Sequence, residues 1–260
     1  LLFFTDKGKA YQIKMYDLPE GKRATRGKSI MNFLQLSDGE KVTSILPMPK
    51  EMKNAKGEES VSLMMITKNG TVKKSSAESF KDVRRNGLIA IRLEDNDELL
   101  ATLFVQGEDS VILTTQNGQS IRFSHDDVRE MGRTAAGVIG MKLDKGDLIV
   151  ASDKIEGGIK GAELLIMTAN GYGKKTKLSE YKIQKRGGSG IKTVKVTDKT
   201  GKLMVARVVT SINEELLAVS KDSQVIRTEI TSIPTLGRDT QGVRIMKLRD
   251  GDSVASFNLL

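Results

Sequence analysis

The sequence predicts an all-β fold, a propeller-like array of four-stranded blades in which five repeats are visible. Three observations support this prediction. An apolar run ending in a polar turn occurs five times, a marker glycine follows each turn at a nearly constant distance, and a β-rich segment follows each marker glycine. We therefore interpret residues 1–260 as a single domain with blades at roughly 1–55, 61–108, 109–158, 162–212 and 213–260.

Each repeat opens with a predicted β-hairpin. The turn positions, in chain order, are Gly8, Gly70, Gly118, Gly171 and Ser223. The second, third and fourth repeats have Asn-Gly at this turn, which is the strongest short-range hairpin signal. We predict type I′ turns there, since that turn type needs a positive φ at both central residues.

A marker glycine then follows 19 residues after the turn position in four repeats and 17 residues after it in the second. These glycines are Gly27, Gly87, Gly137, Gly190 and Gly242. The segments after them, 30–36, 88–93, 138–143, 191–196 and 243–248, are predicted strands, each followed by an acidic or glycine-containing turn and a fourth strand. Residues 77–80, 126–131 and 178–181 favour single helical turns, and the polar stretch 50–60 is interpreted as an excursion between blades.

The composition restricts the function. Lys and Arg number 42 against 33 Asp and Glu, a net charge of +9 that favours a polyanionic partner such as nucleic acid. The chain has no Cys and a single His, His125, which excludes disulfides, thiol catalysis and Cys- or His-clustered metal sites. We predict no metal site and no catalysis by this chain. No apolar run is long enough to cross a bilayer, so no membrane partner is expected. The chain opens on Leu-Leu-Phe-Phe-Thr without an initiator Met, and we expect it to be part of a longer protein.

Basic residues recur at equivalent positions of the repeats. Four residues after the turn come Lys74, Arg122, Lys175 and Arg227, with Lys73 and Lys174 adjacent to two of them. The loops before the marker glycines add Arg23, Arg26, Arg84, Arg85, Arg133 and Arg238. A charge repeated in successive blades of a radial array forms a basic rim, which suits the phosphates of bent duplex DNA. Because aromatic residues are few and Trp is absent, we expect phosphate contacts and little base recognition.

The sharpest motif is the loop Gln184-Lys185-Arg186-Gly187-Gly188-Ser189-Gly190 in the fourth repeat. Two cations beside three glycines can bring backbone N–H groups and positive charge close to a phosphate. The same loop also serves as a connector between blades. No Lys-Ser or Lys-Thr follows the glycines, so it is not a nucleotide-binding P-loop.

The whole chain resembles the C-terminal domain of the A subunit of bacterial DNA gyrase and its paralogue in topoisomerase IV. The segments 16–20, 67–74, 168–176 and 237–243 are gyrase-like, and Gln184 to Gly190 is similar to the family box Gln-Arg-Arg-Gly-Gly-basic-Gly. The resemblance implies a β-pinwheel, a propeller-like disc whose blades exchange strands and whose basic rim wraps duplex DNA. It further implies a non-catalytic role in ATP-dependent negative supercoiling by a type IIA topoisomerase.

The resemblance also implies partners: duplex DNA, the B subunit of a heterotetramer, and the rest of the A subunit. It places the protein in the bacterial cytoplasm at the nucleoid. No cofactor is expected in this domain, and ATP and Mg are expected elsewhere in the parent enzyme. Two features depart from the family, which usually has six repeats with the box in the first. Here five repeats are visible and the box-like loop is in the fourth. Within this loop Lys185 stands where Arg is usual, and Ser189 replaces a basic residue.

Two alternatives stay open at this point. A topoisomerase IV-like domain would bind DNA without strong chiral wrapping, and an interaction platform would use its propeller for an acidic protein partner. A propeller hydrolase is disfavoured because the carboxylates cluster in turns, where turn chemistry explains them.

Overall fold

The computed structural model describes residues 1–22, 24, 26–49, 61–83 and 86–260, and the described chain is all-β. The strands are β1 (Leu2–Thr5), β2 (Lys9–Gln12), β3 (Val42–Leu46), β4 (Ser62–Thr67), β5 (Thr71–Ser76), β6 (Leu88–Ile89), β7 (Leu99–Val105), β8 (Ser110–Thr115), β9 (Gln119–Ser124), β10 (Val138–Ile139), β11 (Ile149–Ile155), β12 (Glu163–Thr168), β13 (Tyr172–Lys177), β14 (Ile191–Lys192), β15 (Leu203–Val209), β16 (Glu215–Ser220), β17 (Val225–Glu229), β18 (Val243–Arg244) and β19 (Val254–Leu259). The predicted excursion at 50–60 lies outside the described residues.

All five predicted hairpins are present, but the turn type differs from the prediction. In each turn the N–H of the glycine or its serine equivalent donates to the carbonyl three residues earlier, as from Gly70 to Thr67 at 3.2 Å. That glycine has φ +86°, whereas Asn69 has no positive φ, and the same holds for Asn117 and Asn170. The geometry is a type I turn closed by a left-handed residue, so the type I′ prediction is wrong.

The residue that opens the hairpin turn is Thr or Ser for a physical reason. Thr67 Oγ1 accepts the N–H of Thr71 at 3.1 Å, and Ser220 Oγ accepts the N–H of Gln224 at 3.0 Å. A short side-chain acceptor therefore satisfies a backbone donor that the tight turn leaves unpaired.

The aspartates of the acidic turns that alternate with the hairpins accept backbone hydrogen bonds. Asp97 Oδ1 accepts the N–H groups of Asn69 and Glu98 at 3.0 and 2.8 Å. Asp147 and Asp252 make the same pair of contacts with their own hairpin turns. These carboxylates join two turns of one repeat, in agreement with the view that turn chemistry explains them.

Sheet topology shows strand exchange between successive repeats. The sheet orders are β3-β1-β2-β6, β10-β5-β4-β7, β11-β8-β9-β14, β15-β12-β13-β18 and β17-β16-β19. In the first four sheets one edge strand comes from the following repeat, for example β18 on β13 with Tyr172 opposite Arg244. The fifth sheet has three strands among the described residues.

The exchanged strands are shorter than predicted. Each consists of two residues, Leu88–Ile89, Val138–Ile139, Ile191–Lys192 and Val243–Arg244, instead of the six predicted at 88–93, 138–143, 191–196 and 243–248. The predicted strand at 30–36 is wrong, since a 3-10 helix occupies Ile30–Asn32 with Ser29 capping its start. Helical turns were predicted at 77–80, 126–131 and 178–181, and 3-10 helices lie at Ala77–Phe80, His125–Asp127 and Leu178–Glu180. The second is shorter than predicted and begins one residue earlier. Two further 3-10 helices lie at Met15–Asp17 and Ile230–Ser232.

Close approach of the exchanged segment explains the turn glycines. A Cβ added at Gly171 would lie 2.2 Å from the carbonyl oxygen of Met246, and Gly171 has φ +79°. The carbonyl of Gly171 accepts the N–H groups of Ile245 and Met246 at 2.9 and 3.1 Å. Ser223, at the same position of the fifth repeat, keeps the positive φ of +63°. The glycine is therefore needed both for the turn and for contact with the next repeat.

Backbone contacts divide the chain into two compact units. The first comprises Leu1–Gly107 and Val128–Val138. Its main core surrounds Phe4, Leu63, Met65 and Phe80, and the Phe4 and Phe80 rings are 5.8 Å apart at 58°. A second cluster gathers around Tyr11, whose hydroxyl donates to the buried carboxylate of Glu40 at 3.1 Å.

The second unit comprises Glu108–Asp127 and Ile139–Leu260. Two of its hydrophobic clusters lie on opposite faces of β12, because successive side chains of a strand alternate. Leu164 and Ile166 enter one core with Tyr181, and Leu165 and Met167 enter the other with Phe257. This double burial explains why the central strands form continuous apolar runs.

Within the described part of the chain, no helix is long and apolar enough to cross a membrane.

Candidate nucleic-acid interface

Three loops that precede marker glycines share one backbone frame. We call them loop three (130–137), loop four (183–190) and loop five (235–242). Two backbone hydrogen bonds define this frame. In the first, an N–H near the start of the loop donates to the carbonyl of the basic residue that lies four positions after the turn of the preceding repeat. In the second, a carbonyl near the end of the loop accepts an N–H from the segment just after the exchanged strand of the preceding repeat. The first hydrogen bond runs from Met131 to Lys74, from Gln184 to Arg122 and from Leu236 to Lys175. The second runs from Arg92 to Ala135, from Lys142 to Gly188 and from Lys195 to Thr240. All six are 2.8–3.1 Å long.

Lys73 and Lys174 support two of these loops from below. Both side chains are fully buried. Lys73 Nζ donates to the carbonyls of Ala90 and Arg133 at 2.5 Å each. Lys174 Nζ donates to the carbonyls of Gly237 and Arg238 at 2.5 and 2.6 Å and to Thr240 Oγ1 at 3.0 Å. Contrary to the rim prediction, these lysines hold loops three and five and do not face solvent.

Burial lowers the pKa of both lysines. It brings the pKa of Lys73 to about 8, with Arg133 adding a smaller repulsion. It brings the pKa of Lys174 to about 8 as well, although the carboxylates of Glu180 and Asp239 oppose the shift. Sequence alone did not distinguish these lysines from solvent-facing ones, since strand alternation shows only that Lys73 and Lys74 point to opposite faces.

Loop four is the box-like loop, and two of its three glycines, Gly187 and Gly190, have a backbone conformation that favours glycine. Gly187 has φ +79° and donates its N–H to the carbonyl of Gly140 at 2.7 Å. Gly190 has φ +75°, and a Cβ there would lie 2.5 Å from the carbonyl oxygen of Ser120. A Cβ at Gly188 would touch Ile121, which is fully buried beneath the loop. An isoleucine thus occupies the position that a lysine occupies beneath loop five.

The polar residues of loop four differ in exposure. The Lys185 side chain is 91% exposed and forms an ion pair with Asp127 at 2.8 Å. Arg186 is half-buried, and its guanidinium donates to the carbonyls of Asp127 and Ile139 at 2.9 Å each. Ser189 is exposed and Gln184 is half-buried. Lys185 and Ser189 are therefore positioned to meet a ligand, while Arg186 holds the exchanged strand of the preceding repeat.

Arg238 of loop five plays the same structural role as Arg186. Its Nη1 donates to the carbonyl of Lys192 at 3.1 Å, and its Nε lies 3.8 Å from the carboxylate of Glu180. Arg133 of loop three and Arg26 are exposed. Arg23, Arg84 and Arg85 lie outside the described residues.

The cations four residues after the turn are not equivalent. Lys74 is buried, and Lys175 is buried with its Nζ 3.3 Å from Glu163. Arg227 is exposed and forms an ion pair with Glu215, which raises its pKa. Arg122 donates to the neutral hydroxyl of Ser110 at 3.0 Å. In two repeats a carboxylate on the neighbouring strand therefore compensates the charge of this cation.

A cluster that sequence analysis missed lies between the turns of the fourth and fifth repeats. The ring of Tyr172 has Lys199 and Arg244 each 5.4 Å from its centroid, and Arg244 also donates to the Tyr172 hydroxyl at 2.9 Å. Lys247 and Arg249 line the same cleft of about 390 Å³. The sequence feature that could have indicated this cluster is Tyr172 itself, an aromatic residue directly after the turn glycine, where the other repeats have Lys, Thr or Gln.

His125 is buried at the start of its 3-10 helix, with Nδ1 3.5 Å from the carboxylate of Asp126. Among the described residues no group of three His, Cys, Asp or Glu side chains is placed to hold a metal ion.

The repeats, the exchanged strands and the basic loops define the class as a β-propeller-type repeat domain. The family described as DNA gyrase C-terminal domain, beta-propeller, matches residues 1–47, 62–106, 109–155, 162–210 and 214–260. The chain belongs to this family, and the five matched segments correspond to its five repeats.

Similar proteins agree with this assignment. The DNA gyrase A subunit of Staphylococcus epidermidis (strain ATCC 12228 / FDA PCI 1200) is 39% identical over 256 residues, which are 98% of this chain and 28% of that protein. The DNA gyrase A subunit of Mycobacterium tuberculosis (strain CDC 1551 / Oshkosh) is 37% identical over 259 residues, 99% of this chain and 30% of that protein. The chain thus spans less than a third of the length of these relatives.

Two solved structures resemble the fold. A DNA gyrase A C-terminal domain superposes with a TM-score of 0.82 at 29% identity, covering 100% of this chain and 81% of that chain. The C-terminal domain of a DNA topoisomerase IV superposes with a TM-score of 0.88 at 23% identity, covering 100% and 78%, and shows the fold alone.

Proposed function

We propose that residues 1–260 act as one domain that binds, bends and wraps duplex DNA, as the non-catalytic C-terminal part of a gyrase-type A subunit. In this role the chain supports ATP-dependent negative supercoiling by the B subunit together with the rest of the A subunit, in the bacterial cytoplasm at the nucleoid. The domain itself needs no cofactor.

One observation carries the proposal: loop three and loop four each expose a cation on a hydrogen-bonded backbone. Arg133 is exposed, and the side chain of Lys185 is 91% exposed while its loop is fixed by the hydrogen bonds of Arg186 and Gly187. Cations on fixed loops neutralise phosphates with little loss of backbone entropy. Membership of the gyrase C-terminal domain family supports the choice of DNA as the polyanion.

A linking-number assay tests the proposal. The protein is bound to nicked circular DNA, the nick is sealed by ligase, and the topoisomers are resolved after the protein is removed. We expect a positive shift in linking number that grows with protein concentration. Tight binding without a shift would contradict wrapping and leave the topoisomerase IV-like alternative. Weak, salt-insensitive binding, with preference for an acidic peptide, would contradict DNA binding altogether.

A double variant, Lys185→Ala with Arg133→Ala, tests the loops directly. We expect a smaller topoisomer shift and a slope of log K against log salt reduced by roughly 0.9 for each lost phosphate contact. The matched control is Lys145→Ala with Lys221→Ala, which removes the same charge from exposed positions in other turns. Equal behaviour of the two double variants would show that net charge, and not the loops, governs binding.

A further inference from the structure

The strand beside Arg122 lacks a carboxylate that the equivalent strands of the fourth and fifth repeats provide. In those repeats the residue twelve positions before the cation is a glutamate, and Glu163 pairs with Lys175 and Glu215 with Arg227. In the third repeat the corresponding residue is Ser110, which gives the guanidinium of Arg122 only a neutral hydroxyl acceptor at 3.0 Å.

The charge of Arg122 is therefore uncompensated. Among the described residues no carboxylate forms an ion pair with it, and its Nη1 makes only a long contact of 3.4 Å with the carbonyl of Tyr181. Arg122 is half-buried, and burial lowers its pKa. A partly desolvated cation without a counter-ion is unfavourable unless an anion approaches it.

A cavity beside Arg122 gives an anion room to do so. The cavity has a volume of about 490 Å³ and is also lined by Lys160, Lys177 and Glu163. Both lysines are exposed, and no ion pair engages either of them in the described part of the chain. Glu163 is already engaged by Lys175 at 3.3 Å and by the Thr235 hydroxyl at 2.7 Å. A water molecule takes about 30 Å³, so the space accommodates a phosphate group with its waters.

We propose that this cavity, with Arg122 in its wall and Lys160 and Lys177 beside it, binds one phosphate group. The guanidinium supplies its Nη groups to the phosphate oxygens, and the two lysines add charge at the edge. We identify the phosphate as a phosphodiester of bound duplex DNA, a step that rests on the proposed function. Of the three equivalent cations in the second unit, Arg122 is then the one that has no ion pair among the described residues and can offer its charge to a phosphate.

The test introduces the missing counter-ion. Ser110→Glu reproduces the glutamate that the next two repeats have at the same register. The matched control, Ser211→Glu, adds the same charge at an exposed position that does not line the cavity. The converse variant, Glu215→Ser, releases Arg227 from its ion pair.

Two probes are used on the whole chain: inorganic phosphate alone and a short linear duplex. The Nε–H resonance of Arg122, assigned by its loss in Arg122→Gln, should shift in a saturable manner with phosphate and not with chloride at equal ionic strength. Ser110→Glu should abolish the shift, lower duplex affinity several-fold and reduce the salt slope by roughly 0.9, the value of one phosphate. Glu215→Ser should increase the slope by a similar amount.

Equal behaviour of Ser110→Glu and Ser211→Glu toward both probes would overturn the phosphate site. If the wild type shows the phosphate shift but binds no duplex, the site stands with free phosphate as its ligand, and the proposed function fails instead. If Ser110→Glu weakens duplex binding without any shift from inorganic phosphate, the site is specific for the phosphodiester.

Discussion

Loops four and five follow the same backbone path over different supports. Both are fixed by an N–H bond to the cation position and by an accepting carbonyl near their ends. Loop four rests on the apolar side chain of Ile121, whereas loop five encloses the ammonium group of Lys174 with two carbonyls and a hydroxyl. The comparison shows that the backbone frame determines the path of the loop, while the support beneath it sets how the loop responds to its environment.

The largest expected effect is the loss of the apolar support. Ile121→Ala removes a fully buried side chain and leaves a cavity under Gly188, which should lower the free energy of unfolding by about 2–4 kcal/mol. Urea denaturation measures the effect. The control, Ile183→Ala, removes the same atoms from a side chain that is 55% exposed and should change stability by less than about 0.5 kcal/mol. Equal losses would mean that loop four does not depend on its support.

Removal of the ammonium group of Lys174 should lower the free energy of unfolding by a smaller amount. Lys174→Met leaves the carbonyls of Gly237 and Arg238 without their donor but also removes the penalty of a buried charge, so we expect a net loss of about 1–3 kcal/mol. Lys177→Met is the control, because Lys177 is exposed and supports no loop. A Lys174→Met protein as stable as the control would show that the ammonium contacts contribute nothing net.

The two supports should differ in their response to pH. The pKa of Lys174 is lowered from 10.5 to about 8 in the folded protein, so between these values the unfolded chain binds more protons. Folding stability from this group therefore rises as the pH increases from about 8 to 10.5. The stability advantage of the wild type over Lys174→Met should grow across that range, while its advantage over Ile121→Ala should stay constant. Parallel pH profiles for all three proteins would contradict the burial of a titrating lysine.

The contribution of each loop arginine to stability should depend on the number of carbonyls to which it donates. Arg186 donates to two carbonyls and Arg238 to one. We expect Arg186→Ala to destabilise by about 1–2 kcal/mol and Arg238→Ala by about 0.5–1 kcal/mol, with faster amide hydrogen exchange at the exchanged strand that each arginine contacts. The reverse order would mean that the ion pair of Arg238 with Glu180 outweighs the second carbonyl.

The smallest effect on stability is expected at Ser189. Ser189→Arg places a cation where the similar family box has a basic residue, and because Ser189 is exposed the free energy of unfolding should change by less than about 0.5 kcal/mol. Duplex affinity should rise, with the salt slope larger by roughly 0.9. Ser211→Arg, the control, adds the same charge outside the loops. An equal gain in both variants would indicate general electrostatic attraction.

The fold was predictable from the sequence because the hairpin and the marker glycine recur five times, and recurrence separates a structural requirement from chance. The turn type was not, since Asn-Gly fits both a type I′ turn and a type I turn closed by glycine. The partners of the basic residues were only partly predictable. Burial of Lys73 and Lys174 depends on loops about 60 residues further along the chain. The twelve-residue spacing from Glu163 to Lys175 and from Glu215 to Arg227, in contrast, was present in the sequence and could have predicted both ion pairs.

Strand exchange also has a consequence for synthesis on the ribosome. The third sheet begins with β8 at Ser110 but receives its last strand, β14, only at Ile191–Lys192, after most of the fourth repeat has been made. A nascent blade therefore cannot finish folding when its own repeat has emerged, and its open edge stays available for pairing until the next repeat follows. Completion of the sheets should proceed along the chain in order, with each one lagging translation by about one repeat. A pause in translation within one repeat would thus leave the preceding blade incomplete.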